Sequence, residues 1–388
     1  MGIGAEAAPR YLLTRRYAPR ARPAAVVSRG GDPMLMFAVA ALLGISIVMV
    51  FNTSYFFAGE RYGDPMYVFW KHLCSIGLGV VCCAIASRVR SVTWERLAYP
   101  LLACAVVALV MVLIPGVGIV RGGARRWIGL GVVNLQPSEL AKVVTVLYLA
   151  KSMVRKGPRM RTFGLGILPH AIIVGVMVVL VLREPDFGSA ALLGLLLGTM
   201  LFAGGARWGH LLVPVLSVLP LCAYAIYSSP YRLRRVMVFL DPWQQARDAG
   251  FQLVQSFLAF GGGGVVGVGL GESKQKMFYL PEAHTDFIFS VIGEELGLLG
   301  ALALILLFAL IAVRGFRVAL RHPTSFGQLA AFGLTLLLVL QAGTNMAVVL
   351  GLLPTKGLAL PLVSYGGSAM LCDMVAVGIV LALSRESG

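Results

Sequence analysis

The chain has 388 residues, of which 58% are hydrophobic and only 13% charged, and its formal net charge is +16. Soluble domains have about 45–50% apolar and about 25% charged residues, so this composition excludes an ordinary soluble protein and indicates a polytopic membrane protein. The positive-inside rule explains the excess of Lys and Arg better than nucleic-acid binding does. The six cysteines and five histidines have no zinc-site spacing, so we expect no metal site built by the protein.

Residues 1–32 are rich in Arg, Pro and Ala and are predicted to form a disordered basic tail in the cytoplasm. Residues 33–388 are predicted to form a single polytopic membrane domain, in which windows of about 20 apolar residues indicate ten transmembrane helices. These helices lie near 34–56, 66–87, 97–115, 137–154, 163–182, 187–204, 208–228, 286–313, 325–352 and 361–383. The predicted fold class is therefore an all-α integral membrane protein.

Ten spans place both termini on the same side of the membrane. The segments on that side carry the larger share of Lys and Arg, so we expect both termini in the cytoplasm. The long loop 229–283, between helices 7 and 8, is then extracytoplasmic, and loops of this length are usually functional. Within it, residues 251–260 are predicted to form a short interfacial helix, followed by flexible glycines at 261–264.

The stretch 278–297 gathers five ionisable side chains at the start of the eighth apolar span, with Lys276 just upstream. One interpretation is a polar helix start, in which Thr285 is the N-cap and the helix dipole favours the charge of Asp286. The alternative is that Asp286 is a carboxylate held at the membrane surface to act as a general base.

Glu139 and Lys142 are three residues apart, so on a helix they share one face. They can form an ion pair that merely neutralises buried charge. Alternatively, Lys142 points into a cavity, towards an anionic group or towards Asp286.

Two groups of arginines break the positive-inside rule, and such exceptions are expected at functional sites. Arg126 and Trp127 precede the fourth span, and Arg232 and Arg235 lie at the start of the long loop. Arg and Trp anchor proteins at the headgroup level, but guanidinium groups also recognise phosphate oxygens.

Four further polar residues are expected to have structural roles. Glu184 and Asp186 are predicted to be hairpin and cap residues rather than catalysts. Asp373 and Asn345 are predicted to pair with neighbouring helices, although an intramembrane Asp is also compatible with a proton relay. One acid, one Lys–Glu pair and two Arg clusters around an outward-facing cavity suit a lipid-linked substrate that carries a pyrophosphate.

The chain resembles the SEDS family (shape, elongation, division and sporulation proteins), and its division-type members more than the elongation type. The resemblance covers residues 34–384. It is carried by RRWIGLG (125–131), QPSELAK (136–142), REPDFG (183–188), PYRLRR (230–235), DPW (241–243), GFQLVQS (250–256), LPEAHTDFIF (280–289), GEELG (293–297), LPTKG (353–357) and PLVSYGG (361–367).

This resemblance implies a peptidoglycan glycosyltransferase of the bacterial inner membrane, located at the division site. Its substrate would be lipid II, and its partners a class B penicillin-binding protein and other divisome membrane proteins. The family's essential acid falls on Asp286 and its membrane lysine on Lys142. Further motif residues and neighbouring cations are expected to bind the substrate, namely Gln136, Ser138, Glu139, Arg126, Trp127, Arg232, Arg235, Gln255, Lys276, His284 and Ser364.

The mechanism that the resemblance implies is an inverting transfer with Asp286 as general base. Arg126, Arg232 or Lys142 would meet the charge of the departing undecaprenyl pyrophosphate, helped by a divalent cation (Mg or Mn) carried on the diphosphate. No organic cofactor is expected. The alternatives are a lipid II flippase, an elongation-type polymerase, or a scaffold that only recruits the penicillin-binding protein.

Overall fold

The computed structural model describes residues 31–121, 124–129, 134–210, 212, 227, 237–248, 250–276, 280, 283–355 and 357–387. This part of the chain is mostly helical. Its helices are α1 (Pro33–Tyr62), α2 (Tyr67–Arg88), α3 (Ser91–Leu113), α4 (Pro137–Lys156), α5 (Leu168–Arg183), α6 (Phe187–Ala203), α7 (Phe251–Gly263), α8 (Ile288–Glu295), α9 (Gly297–Arg321), α10 (Ser325–Val349) and α11 (Gly367–Arg385).

Seven helices in the described part are long and apolar enough to cross a membrane, so the protein is multi-pass. They are α1, α2, α3, α5 with the preceding π-turn, α9, α10 and α11. The predicted spans near 137–154 and 187–204 correspond to α4, which carries five charged residues, and to the shorter α6. The predicted span 208–228 lies almost wholly outside the described residues, as does the predicted tail. The number of ten spans therefore stays a prediction.

An all-α fold was predicted, but the chain also contains a small β-sheet. A three-stranded antiparallel sheet precedes α4 and consists of β1 (Gly118–Arg121), β2 (Ala124–Gly129) and β3 (Asn134–Leu135), in the order β1-β2-β3. Such short strands do not produce a clear period-two pattern in the sequence. The sheet fixes the position of Arg126 and Trp127, both of which lie on β2.

The predicted span 286–313 is two helices, because α8 ends at Glu295 and α9 begins at Gly297. Gly297 has φ +65°, and a Cβ there would lie 2.4 Å from the backbone N of Gly267, so only glycine fits. The prediction of Thr285 as N-cap was wrong, because α8 begins at Ile288 with Phe287 in the cap position. Asp286 therefore lies in the turn before α8.

The helix predicted in the long loop is present as α7, but it continues through the first three glycines that were expected to be flexible. It packs against α8, since Ser256 Oγ lies 2.8 Å from Ser290 Oγ and the rings of Phe260 and Phe289 are 5.4 Å apart. Burial against α8 stabilises a glycine-rich helical end that is unfavourable in isolation.

Both ends of the described chain lie at the same end of the helical bundle. Asp32 caps α1 and forms an ion pair with Arg314 of α9, in which the N–O distance is 2.6 Å. The backbone N–H of Asp32 donates to Ser384 Oγ on α11 at 3.1 Å. This arrangement agrees with the expectation that both termini share one side of the membrane.

Glu386 connects the start of α3 to the end of α9 at this same end. Its carboxylate accepts hydrogen bonds from the backbone N–H and the hydroxyl of Ser91, and it lies 3.5 Å from Nε2 of His322. Burial favours the neutral acid, but the hydrogen bonds from His322 and Ser91 outweigh it and lower the pKa of Glu386 to about 2.

Glu386→Gln is expected to reduce the free energy of unfolding by about 1–3 kcal/mol at neutral pH. Because the folded pKa lies below the ordinary 4.5, this stabilisation is present above pH 4.5 and is lost as the pH falls towards 2. Thermal melts of wild type and variant in detergent should differ at pH 7 and approach each other at pH 3. Identical melts at pH 7 would show that the carboxylate does not stabilise the fold.

Candidate functional site

Asp286 lies in a turn at the opposite end of the bundle from the termini, and side chains of neighbouring segments bind the backbone of this turn. Asn345 Nδ2 on α10 donates to the carbonyl of Asp286 at 2.8 Å and to that of Leu358 at 2.6 Å. A Cβ on Gly357 would lie 3.0 Å from Asp286 Oδ2, so this glycine leaves room for the carboxylate. Asp286 is half-exposed, whereas Phe287 is buried.

The segment after α10 also binds the residues just before Asp286. Ser364 Oγ donates to the carbonyl of Thr285, and the backbone N–H of Tyr365 donates to the carbonyl of His284 at 2.9 Å. The His284 ring is buried between Phe57 and Tyr365, with ring centroids 4.7 and 5.8 Å away. In this structure His284 and Ser364 therefore fix the backbone that carries Asp286.

Lys142 is buried in α4, which α3, α6 and α10 surround, and is only 1% exposed. Its ammonium donates to Glu139 Oε1 at 2.8 Å, as the i, i+3 spacing predicted, and to Gln341 Oε1 on α10 at 2.7 Å. Gln341 Nε2 donates in turn to the carbonyl of Ala359 at 3.3 Å. Gln341 lies one helical turn before Asn345, so α10 and the segment after it connect Lys142 with the turn of Asp286.

Asp373 belongs to the same buried group of charges. It lies on α11, is 3% exposed, and interacts electrostatically with Glu139 and Lys142. Asp373 Oδ2 makes no hydrogen bond within the described part of the chain, so pairing of Asp373 with a neighbouring helix stays a prediction, as does a proton relay. Asn345 instead binds the carbonyls of two loop residues, as described above.

A second polar group joins β2, the start of α4 and the turn between α5 and α6. Arg126 donates from Nε to the carbonyl of Glu184 at 2.9 Å and from Nη2 to the carbonyl of Pro185 at 2.7 Å. Asp186 caps α6 through the backbone N–H of Ser189 at 3.1 Å, as predicted. Trp127 is half-buried next to Arg126 on β2 and pairs with Ile119 of β1.

The carboxylate of Asp186 also accepts two side-chain hydrogen bonds that were not predicted. Ser138 Oγ lies 3.3 Å and Gln136 Nε2 lies 3.4 Å from Asp186 Oδ2. Glu184 is completely buried in the same turn. Both acids therefore belong to this polar group, and the only sign in the sequence was two carboxylates in one turn of an otherwise apolar chain.

The other predicted residues lie further along the long loop. Lys276 is buried and donates to Glu295 Oε1 at 3.2 Å, to Asn52 Oδ1 and to the carbonyl of Gly271, which engages all three of its N–H donors. Gln255 is half-buried on α7. Arg232 and Arg235 lie outside the described residues. The substrate contacts of all the predicted site residues stay predictions.

The candidate residues thus include a half-exposed carboxylate (Asp286), a buried cation (Lys142) and a half-buried guanidinium (Arg126). The carboxylate can accept a proton, and the guanidinium can bind an anion through the donors that it does not use internally. Among the described residues there is no group of three or more His, Cys, Asp or Glu side chains that could hold a metal ion.

Curated relatives resemble this chain over almost their whole length. "Probable peptidoglycan glycosyltransferase FtsW" of Geobacter sulfurreducens is 43% identical over 355 residues, which cover 92% of this chain and 95% of the relative. The protein of the same name from Nitrosococcus halophilus is 44% identical and covers 92% of each chain. That of Legionella pneumophila is 39% identical over 98% of this chain and 96% of its own.

Solved structures share the fold. A chain from "Structural coordination of polymerization and crosslinking by a peptidoglycan synthase complex" matches with a TM-score of 0.78 at 30% identity, over 93% of this chain and 99% of its own. The rod shape determining protein RodA of Thermus thermophilus matches with a TM-score of 0.68 at 28% identity, over 92% and 97%. The family model for FtsW, RodA and SpoVE, described as cell cycle protein, matches residues 33–388. The chain therefore belongs to the FtsW/RodA/SpoVE family of cell cycle proteins.

Proposed function

We propose that this chain is a peptidoglycan glycosyltransferase that polymerises lipid II into glycan strands during septal wall synthesis and cell division. The names of its relatives support the activity, and the family description, cell cycle protein, supports the division role. The structural observation that carries the proposal is the half-exposed carboxylate of Asp286, which lies at the opposite end of the bundle from both termini. With ten spans and both termini in the cytoplasm, this carboxylate faces the periplasm.

In the proposed reaction, Asp286 removes the proton from the 4-hydroxyl of the acceptor N-acetylglucosamine. The oxygen then forms a bond to the anomeric carbon of a second, lipid-linked sugar, and the bond from that carbon to the diphosphate breaks with inversion. The leaving undecaprenyl pyrophosphate takes the electron pair and the negative charge. A single base is sufficient, because no covalent enzyme intermediate forms.

Arg126 is the described residue best suited to bind the diphosphate. Two of its five N–H donors bind backbone carbonyls of the α5–α6 turn, and the other three make no hydrogen bond within the described part of the chain. Lys142 contributes the field of a buried cation, although two of its donors bind Glu139 and Gln341. Arg232 is proposed to join them from the long loop.

We also propose that a divalent cation enters with the substrate, held by the oxygens of its diphosphate. Mg²⁺ and Mn²⁺ bind diphosphate oxygens and keep several waters, so a site built only from protein side chains is not required. The residues named above would then bind an already partly neutralised diphosphate.

The proposed partner is a class B penicillin-binding protein, whose transpeptidase crosslinks the new strands, together with other membrane proteins of the divisome. A related chain in a complex that coordinates polymerization and crosslinking supports this choice. The proposed location is the bacterial inner membrane at the division site.

Purified protein with its transpeptidase partner and lipid II tests the proposal. The expected product is a ladder of glycan strands on a denaturing gel. If lipid II is recovered unchanged although the complex is folded and intact, the chain is not a polymerase.

Gly357→Ala should reduce kcat about tenfold, because the added methyl group would displace the Asp286 carboxylate by a few tenths of an ångström. The matched control is Gly343→Ala, where a Cβ meets no heavy atom within 4 Å. Rates from glycan gels should be reduced for Gly357→Ala and unchanged for Gly343→Ala. Thermal melts should show no loss of stability for Gly357→Ala. Equal activity of the two variants would mean that Gly357 does not position the carboxylate.

A further inference from the structure

The carboxyl group of Glu184 is buried in the turn between α5 and α6. The residue is 0% exposed, and neither side-chain oxygen makes a hydrogen bond within the described part of the chain. An ionised carboxylate in such a place loses its hydration without compensation, whereas the neutral acid loses much less. Burial therefore favours the protonated form of Glu184.

The charges around Glu184 lead to the same assignment. Asp186 in the same turn accepts hydrogen bonds from Ser189 N, Ser138 Oγ and Gln136 Nε2, whereas the Glu184 carboxyl group accepts none within the described part of the chain. Burial, with the nearby charge of Asp186, raises the pKa of Glu184 to about 8, although Arg126 acts in the opposite direction. Asp186 also interacts electrostatically with Lys142 on α4, which is paired with Glu139.

The guanidinium of Arg126 is bound through backbone rather than through this acid. Its hydrogen bonds go to the carbonyls of Glu184 and Pro185. A neutral Glu184 leaves the full positive charge of Arg126 for an external anion. An ionised Glu184 would neutralise that charge and would compete with the anion.

We propose that Glu184 is held protonated in the resting enzyme and is a positioning residue that keeps Arg126 available for the diphosphate of the substrate. The inference rests on the proposed function, since it assigns the diphosphate to Arg126. It adds a second acid with a role opposite to that of Asp286. Asp286 must be ionised to accept a proton, whereas Glu184 must remain neutral.

Substrate binding by the wild type should therefore weaken as the pH rises. Glu184→Gln should abolish this dependence on pH, because the amide mimics the neutral acid. With a pKa of about 8 for Glu184, the protonated fraction falls about tenfold between pH 7 and pH 9. The KM of the wild type for lipid II should rise by about the same factor, with a smaller change in kcat. Glu184→Gln should retain kcat within about threefold at pH 7, and its KM should stay nearly constant up to pH 9.

Protein stability gives a second measurement that does not need activity. Since the folded pKa of Glu184 exceeds the ordinary 4.5, ionisation destabilises the folded chain increasingly as the pH rises from 4.5 to about 8. Glu184→Gln should therefore melt at least about 2 °C above the wild type at pH 8 and close to it at pH 4.5. Glu60→Gln is the matched control, because Glu60 is an exposed carboxylate at the end of α1.

The experiment combines steady-state polymerisation of lipid II by the complex at pH 6–9 with melts of the same three proteins. A flat KM and a raised melting temperature for Glu184→Gln alone support the inference. Superimposable pH profiles and melts of Glu184→Gln and wild type overturn it. If the wild type makes no glycan at all, the proposed function fails, and the melts still decide whether Glu184 is protonated.

Discussion

Replacing Asp286 with Asn is expected to reduce kcat for glycan synthesis about 10²–10⁴-fold, with little change in the KM for lipid II. The amide keeps the size of the side chain but cannot accept the proton of the attacking hydroxyl. The side chains of Asn345 and Ser364 hold this turn through its backbone carbonyls and not through the Asp286 carboxylate, so the fold should be retained. Initial rates with purified complex over a range of lipid II concentrations measure both constants.

Glu272→Gln is the control for this substitution, because it removes an exposed carboxylate from the long loop. It should leave kcat and KM unchanged. A wild-type rate for Asp286→Asn, with a folded protein, would exclude Asp286 as the base and would leave the residue with a structural role only.

Lys142→Met is expected to destabilise the protein by about 3–5 kcal/mol, since it leaves a buried carboxylate without its counter-charge. Lys142 lies 2.8 Å from Glu139 Oε2, and its removal also leaves Gln341 Oε1 without its donor. Asp373 is a further buried acid in the same cluster. Thermal melts in detergent should show the largest loss of stability among the variants proposed.

The double variant Lys142→Met with Glu139→Gln separates charge from packing. Removing the negative partner as well should recover a large part of the stability, because no unpaired charge then stays at Glu139. The double variant should nevertheless be weak in glycan synthesis, because in the proposed reaction Lys142 helps to meet the charge of the diphosphate. If Lys142→Met alone were as stable as the wild type, the pair would not be the buried, mutually compensating charges described above.

Local sequence spacing predicted the Glu139–Lys142 contact because i and i+3 meet on any helix. The other members of the cluster, Gln341 and Asp373, come from helices about 200 residues later in the chain. Their convergence depends on how helices pack, which hydrophobic windows do not specify. For this reason, the buried role of Asp373 could be proposed only as one of two alternatives.

The break between α8 and α9 shows a second reason why the sequence alone did not predict the structure. One long span, 286–313, was predicted across Gly297 where the chain forms two helices. The decisive contacts are backbone hydrogen bonds from Leu298 to Gly264 and from Leu299 to Val265, which a distant loop supplies. The complete burial of Glu184 was not predicted for a similar reason, because it depends on how the α5–α6 turn packs against β2.

Reconstitution in liposomes tests the central claim, polymerisation at the membrane face that carries Asp286, most directly. Fluorescent lipid II is supplied to that face, and polymer formation and transbilayer movement are measured in the same vesicles. Glycan strands should accumulate on that side without transfer of label to the other leaflet. Label that crosses the bilayer while lipid II stays unpolymerised would contradict the account and would identify a transporter instead.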